Sequence, residues 1–340
     1  MLAFPQFDVN WLEIPEGHHR RKEWTQAVAE VTLAWLNDGG SVDIWIKHYQ
    51  FVRQHALQSA WAHYIPEQLL PHLQYIRFGS GGRGEDSLYS DLDYAIVTTG
   101  RVNGEDVFDA LHRFIRGVVD FGFPPCQGFV MGTNPRWIGS IVDWQRRIEQ
   151  YLSYPDWENV RYLFMMIDGC PLFDFEAWWP VAALAYEGIR NSPFICWEMA
   201  HLGIHNTVPL SRFGHVQTER IEDVEYLQIK EGLINPVVHA VRLLAIVYQV
   251  QHLNTRERLR ALAAGGQLAE DLASRVQLAL THGWQLRLRA QATDVLRGTV
   301  PTDKIVWSTL REAERTLTIE HLRAVRELER FVHRMFRKPR

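Results

Sequence analysis

Residues 78–97, FGSGGRGEDSLYSDLDYAIV, constrain this chain more than any other segment. A glycine-rich turn opened by Gly79-Ser80 is followed by an acidic pair, Asp91 and Asp93, eleven and thirteen residues after Ser80. The pair runs into Tyr94-Ala95-Ile96-Val97, an apolar run that reads as a buried strand. On such a strand Asp91 and Asp93, two residues apart, point to one face, and Leu92 points the other way into a core. Two adjacent carboxylates repel each other and are costly in a half-buried site unless a cation lies between them. Oxygen ligands suit Mg²⁺, which is commonly held by one or two carboxylates together with the phosphates of a nucleotide. A glycine-rich turn beside them offers backbone N–H groups to those phosphates. The segment reads as a metal–nucleotide site.

At 340 residues, 46% of them hydrophobic, the chain is long enough for two or three domains with a sizeable core. A net charge of −4 supplies no global basic field for a nucleic-acid backbone. The basic residues near the end (Arg330, Arg334, Arg337, Lys338, Arg340) read as a solvated helix end and tail. Cys126, Cys170 and Cys196 are widely spaced and form no C-x-x-C, which argues against a zinc ribbon or disulfide framework and for a reducing compartment. The first residues lack the basic-then-apolar order of a signal peptide. No run of about 18 apolar residues exists to span a membrane. A cytoplasmic protein is the expectation.

Along the chain, residues 24–37 and 42–64 carry helical patterns, the first ending at Asp38-Gly39-Gly40. Residues 75–78 and 91–98 read as strands flanking the glycine turn. Residues 104–121 read as a helix with Val107, Leu111, Phe114, Ile115 and Val118 on one face. Residues 128–131 are a candidate third strand and 137–152 a helix. Residues 160–168, VRYLFMMID, read as a buried strand ending in a lone carboxylate, Asp168. From residue 173 onward no strand is evident; residues 221–250, 267–291 and 305–336 are long helical stretches broken at glycines and Pro301. The fold class is α+β, with a small mixed sheet, an N-terminal helical segment and a C-terminal helical bundle. The divisions fall at 1–72, 73–180 and 181–340.

Gly79-Ser80, Arg83-Gly84-Glu85 and Ser90-Asp91-x-Asp93, in register between two apolar strands, resemble the polymerase-beta-like nucleotidyltransferase superfamily. The fuller pattern resembles the branch that holds the uridylyltransferases of the PII nitrogen-regulatory protein and a family of nucleotidyltransferases often attached to cyclic-nucleotide-binding and CBS domains. The resemblance covers roughly residues 25–295 and is strongest over 76–97. It implies a nucleotidyltransferase domain followed by a helical domain. The implied acceptor is a protein side chain, as when PII is uridylylated, with a small molecule as the other candidate and nucleic acid disfavoured by the charge. The implied setting is signal transduction, with ATP or UTP as donor.

Nucleotidyl transfer asks for positioning and charge neutralisation more than covalent chemistry. Two metal ions about 3.5–4 Å apart would stabilise the attacking and leaving oxygens, so two Mg²⁺ ions are expected. Asp91 and Asp93 are the expected ligands, and Asp168 the third carboxylate near the acceptor hydroxyl. An unpaired carboxylate at the end of a buried strand would otherwise be costly; the other reading of Asp168 is a cap or turn residue. The resemblance agrees, since related chains carry an apolar strand, Asp, a basic residue and a proline; here Asp168-Gly169-Cys170-Pro171 lacks the basic residue. Gly79 and Ser80 are expected to bind the triphosphate. Arg83 either joins them as a bidentate phosphate ligand or pairs with Glu85 or Asp86 to shape the loop.

Related enzymes carry a lysine near a glycine in the helical domain, which points to Lys230 as a further nucleotide contact. Arg242 lies on an otherwise apolar helix and needs a buried partner or a ligand. Asn254-Thr255-Arg256-Glu257-Arg258 resembles the family's Asn-Thr-x-x-Arg element, but Thr255 as a helix cap accounts for it. His201 and His205, at i, i+4, are assigned structural or surface roles. There is no P-loop, no convincing dinucleotide fingerprint and no G-x-S-x-G nucleophile elbow. The leading expectation is an Mg²⁺-dependent nucleotidyltransferase. The alternative is a non-catalytic regulator that binds a nucleotide in a degenerate site of the same fold.

Overall fold

The computed structural model describes residues 19–202 and 208–337. The beginning of the 1–72 segment, His205, and the tail residues Lys338 and Arg340 lie outside that range. Helices α1 (His19–Asn37) and α2 (Val42–Tyr64) open the described chain. Strand β1 (Leu73–Arg77) leads into a short helix α3 (Gly79–Arg83), then β2 (Tyr94–Thr98) and α4 (Gly104–Phe121). Next come β3 (Ile138–Ser140), α5 (Ile141–Ser153), α6 (Trp157–Met166), β4 (Cys170–Pro171), α7 (Trp178–Arg190) and α8 (Pro193–Leu202). The remainder is β5 (Glu219–Ile221), β6 (Val224–Gln228), α9 (Asn235–Val247), α10 (Thr255–Ala264), α11 (Glu270–Leu296), β7 (Lys304–Val306) and α12 (Glu312–Met335).

The first sheet has the order β3-β2-β1-β4 and is mixed. β1 runs antiparallel to β2, with Arg77 opposite Tyr94, and antiparallel to β4, while β2 and β3 are parallel. Side chains alternate across it. Tyr75 stacks on Tyr94 at 4.6 Å and meets Trp61 of α2 and Phe114 of α4 edge-on. Phe78 turns the other way, into Trp137, Trp144 and Trp178. Aromatic contacts of this kind add to the burial of large apolar area and fix the sheet between its helices. This mixed sheet with helical flanks is the α+β arrangement expected of the chain. The helical flank is shared between the halves: α2 packs on α4, whereas α1 packs along α11.

Four local expectations change. Residues 160–166 are helical, not a strand. A short apolar run has no period that separates a buried strand from a buried helix, and Asp156 decides the matter by capping α6 through the Asn159 amide at 2.8 Å. Residues 128–131 are loop. The third strand lies instead at β3, inside the stretch expected to be helix, because the Ser140–Asp143 capping box starts α5 at residue 141. Asp91 and Asp93 precede β2 rather than lie on it.

Finally, the helical half contains a small sheet, β5-β6-β7. Its hairpin turns at Glu222 and Asp223, both at positive φ (45° and 65°). That is the backbone of a two-residue primed turn, built without the Asn-Gly or Asp-Gly signature that would reveal it. β7 then pairs with β6 from far along the chain, with Tyr226 opposite Val306.

Candidate active site

The β1–β2 register brings the glycine turn to the acidic pair. The ladder continues past β1, with the Phe78 amide donating to the Asp93 carbonyl at 2.8 Å. Gly79 therefore emerges against Asp93. Its φ is +53°, and a Cβ there would lie 2.5 Å from Asp93 Oδ2. Only glycine meets both demands without strain. The amides of Gly79, Ser80 and Gly81 form the first turn of α3, ahead of the first intrahelical acceptor. Gly82 is jammed against backbone carbonyls of Asp168 and Arg77, which fixes the turn to the strand beneath it.

On the opposite edge, residues 91–94 are met by the loop that follows α4. The Leu92 amide donates to the Pro124 carbonyl at 3.1 Å, and the Tyr94 amide to the Val130 carbonyl at 2.9 Å. This places Cys126 beside the acidic pair. One ligand atom each of Asp91, Asp93 and Cys126 lie within 4.8 Å of one another. Burial, and then the charge of Asp91, push the Asp93 carboxyl up to about 6; a hydrogen bond from the Cys126 thiol and the charges of Lys230 and Arg83 act in the other direction. Burial and the neighbouring Asp93 push the thiol up to about 12, so it is a protonated donor. Cys126 was missed in the sequence. A lone cysteine some thirty residues from the acidic pair carries no local signal of this contact.

Ser80 donates its hydroxyl to Asp86 Oδ1 at 2.7 Å. Asp86 is held in turn by the buried Arg53 of α2 at 3.0 Å. Arg53 also donates to the carbonyl of Ser90 at 2.6 Å. One guanidinium thus ties together the two ends of the loop between the glycine turn and the acidic pair.

Asp168 is not with Asp91 and Asp93. Its carboxylate is wholly buried, and three guanidinium groups consume it: Arg83 Nη1 at 2.7 Å and Arg242 Nη2 at 2.9 Å on Oδ2, and Arg258 Nη1 at 3.0 Å on Oδ1. Burial by itself would raise its pKa, but Arg242, Arg83 and Arg258 outweigh it and hold the carboxyl below its usual range. Arg242, pushed down to about 9 by burial and by its fellow arginines, remains a cation near neutrality. The partner that its apolar helix demanded is Asp168.

Arg83 also pairs with Glu85 at 2.9 Å, so its ion pairs lie with Asp168 and Glu85. Glu85 receives the amide of Thr255 and its hydroxyl, the latter at 3.0 Å. Asn254, not Thr255, caps α10. The Asn-Thr-x-x-Arg element is therefore the clasp between the halves, through Thr255 to Glu85 and Arg258 to Asp168.

Lys230 opens a π-helical turn, Lys230–Ile234, between β6 and α9. Turns of this kind recur at functional sites. Its ammonium lies 3.9 Å from Asp303, which Arg287 grips at 2.7 Å. Its charge reaches Asp93 from the helical side.

Residues 22–158 match the family described as "Putative nucleotidyltransferase DUF294", and residues 194–336 match its companion, "Putative nucleotidyltransferase substrate binding domain". The chain belongs to that family. No curated protein matches it. The glycine turn and the acidic pair fall in the nucleotidyltransferase match, while Lys230, Arg242, Thr255 and Arg258 fall in the substrate-binding match. Asp168, on which the two halves of this nucleotidyltransferase family member converge, lies between the two matched ranges. No helix among the described residues is long and apolar enough to cross a membrane.

Proposed function

We propose that the protein is an Mg²⁺-dependent nucleotidyltransferase that moves a nucleoside monophosphate from a nucleoside triphosphate to an acceptor hydroxyl. The observation that carries this reading is the convergence of Asp91 and Asp93 beside a turn whose Gly79 leaves room for nothing larger. The donor set fits a hard cation: two carboxylates close enough for one to raise the pKa of the other, a repulsion that a divalent ion relieves. Asp91 and Asp93 would hold the ion or ions, which would neutralise phosphate charge and polarise the reacting phosphoryl group.

The chain's own groups supply positioning. The first amides of α3 and Ser80 would bind the triphosphate, and Asp86 accepts a hydrogen bond from the Ser80 hydroxyl and so orients it. Lys230 supplies a cation from the helical side. An acceptor oxygen bonds to the α-phosphorus, the bond from phosphorus to the pyrophosphate oxygen breaks, pyrophosphate leaves, and the hydroxyl proton passes to solvent. Asp168 and Arg83 position the turn rather than touch substrate, because their charges are spent on each other and on Arg242, Arg258 and Glu85. We keep the three-part division at residues 72 and 180 as a working proposal. The family description of residues 194–336 supports an acceptor bound by the helical half, and a protein side chain is the acceptor we favour.

A second reading has one observation in its favour. With Asp168 caged, two carboxylates remain at the site, which suits a regulator that binds nucleotide without turning it over. The decisive experiment is transfer from α-³²P-labelled ATP, UTP, GTP and CTP with Mg²⁺ onto lysate proteins, with pyrophosphate release followed in parallel. Label and pyrophosphate lost in the Asp91→Asn/Asp93→Asn variant establish the enzyme. Mg²⁺-dependent nucleotide binding without pyrophosphate establishes the regulator.

A further inference from the structure

A cavity of about 480 Å³ is walled by Ile167 and Gly169, the chain neighbours of Asp168, by α7 and by the segment joining α9 to α10. It falls within the ~300–1,000 Å³ range of small-molecule sites. Its lining is largely apolar, from Ile167, Ile246 and Leu253, and Trp179 stands at it 47% exposed. The backbone on one side is strained: Gln249 has φ +59°, the left-handed region, without being glycine.

Two charges on α7 set the chemistry. Glu187 and Arg190 line the same cavity at i, i+3, neighbours on one helix face. Neither side chain has an ion pair or hydrogen bond among the described residues, whereas Arg53, Arg83, Arg242, Arg256, Arg258 and Arg287 are all paired. An apolar chamber beside one unpaired carboxylate and one unpaired guanidinium matches a zwitterion with an apolar body. An anion alone would be repelled by Glu187, and a cation alone by Arg190. We propose that this cavity binds a free α-amino acid with a large apolar side chain, its carboxylate on Arg190, its ammonium on Glu187 and its side chain against Trp179.

None of the groups proposed for nucleotidyl transfer lines this cavity. The cavity nevertheless shares a wall with the clasp. Tyr186 lines it and accepts a hydrogen bond from Arg258 Nη2 at 3.1 Å, and Arg258 is the partner of Asp168. An occupant would therefore sit one side chain away from the ion pairs that seat the glycine turn.

The test is calorimetric titration of the full chain with L-phenylalanine, L-leucine and L-tryptophan. It is repeated with N-acetyl-L-phenylalanine, which lacks the cation, and L-phenylalaninamide, which lacks the anion. The expected result is saturable one-to-one binding of at least one amino acid. That affinity falls at least about tenfold in Arg190→Ala and in Glu187→Gln, and for the blocked analogues of phenylalanine where phenylalanine binds. Circular dichroism should show both variants folded, since both side chains reach solvent. Binding by none of the three amino acids overturns the proposal, and so does undiminished affinity in either variant.

Discussion

Asp168 and Arg258 form an ion pair that solvent does not reach on either side: Oδ1 and Nη1 lie 3.0 Å apart, and both side chains are wholly buried. Asp168 follows α6 and Arg258 is on α10, so the pair joins the sheet-bearing half to the helical half. Arg83 extends it to the glycine turn and Arg242 to α9. Buried charges of this kind are costly to desolvate and are sustained only by close partners with good hydrogen-bond geometry. The geometry of the glycine turn thus depends on buried charges drawn from both halves of the chain.

Asp168→Asn should destabilise the fold by about 3–5 kcal/mol, because it leaves three buried guanidinium groups short of their counter-charge. Urea denaturation reads this as a lower midpoint. A change below about 1 kcal/mol would show that the arginines find other partners and that the clasp is not a structural keystone.

Gly79→Ala tests the contact between turn and acidic pair. The left-handed backbone costs a residue with a Cβ about 1–2 kcal/mol, and the added methyl must displace Asp93. Mg²⁺-dependent nucleotide binding should weaken at least about tenfold while circular dichroism stays native. Asp93→Asn should abolish transfer with the fold retained; full activity in that variant sinks the metal assignment.

The pH dependence has a definite sign. The folded Asp93 carboxyl titrates at about 6, above the ordinary value of about 3.9. In the metal-free protein its contribution to stability is therefore full below about pH 4 and is lost as the pH rises through about 6. Metal binding runs the other way, since the cation must displace the proton. Mg²⁺ affinity should be flat near pH 8 and fall steeply below about pH 6. Asp91→Asn removes a ligand and should weaken Mg²⁺ binding at every pH, while Cys126→Ala should move the fall to higher pH by removing the thiol donor. Magnesium titration at a series of pH values separates the two effects.

Lys230→Ala should raise the KM for the nucleoside triphosphate by about tenfold, with a smaller change in kcat if the ammonium binds ground state and transition state alike. Asp303→Asn should give a weaker version of the same effect, because Asp303 lies 3.9 Å from the ammonium and would act only through it. Steady-state kinetics on both variants separates the roles; an unchanged KM in Lys230→Ala removes the lysine from the site.

Much of the candidate site was legible because it is local. Gly79, Ser80, Asp91 and Asp93 lie within fifteen residues of one another, and the spacing that places them together is the length of a single loop between paired strands. The helices at Val42–Tyr64 and Gly104–Phe121 were legible for the same reason: each carries an apolar face and its own end signals. Arg242 could be flagged as needing a partner, since a charge on an apolar helix is anomalous wherever the helix packs.

Tertiary structure alone decided the rest. The apolar run at residues 160–166 has no period that separates strand from helix; it is a helix capped by Asp156, with Val160, Tyr162, Leu163, Phe164 and Met166 buried. Asp168 had two readings, ligand or structural anchor, and the choice fell to Arg83, Arg242 and Arg258, which lie up to 90 residues away in sequence. Cys126 reached Asp93 only because the loop after α4 pairs with the edge of residues 91–94. A sequence determines which groups a chain can bring to a site. Desolvation and Coulomb attraction, which act through space and depend on what surrounds each charge, determine which of those groups remain free for a ligand and which are consumed in holding the fold together.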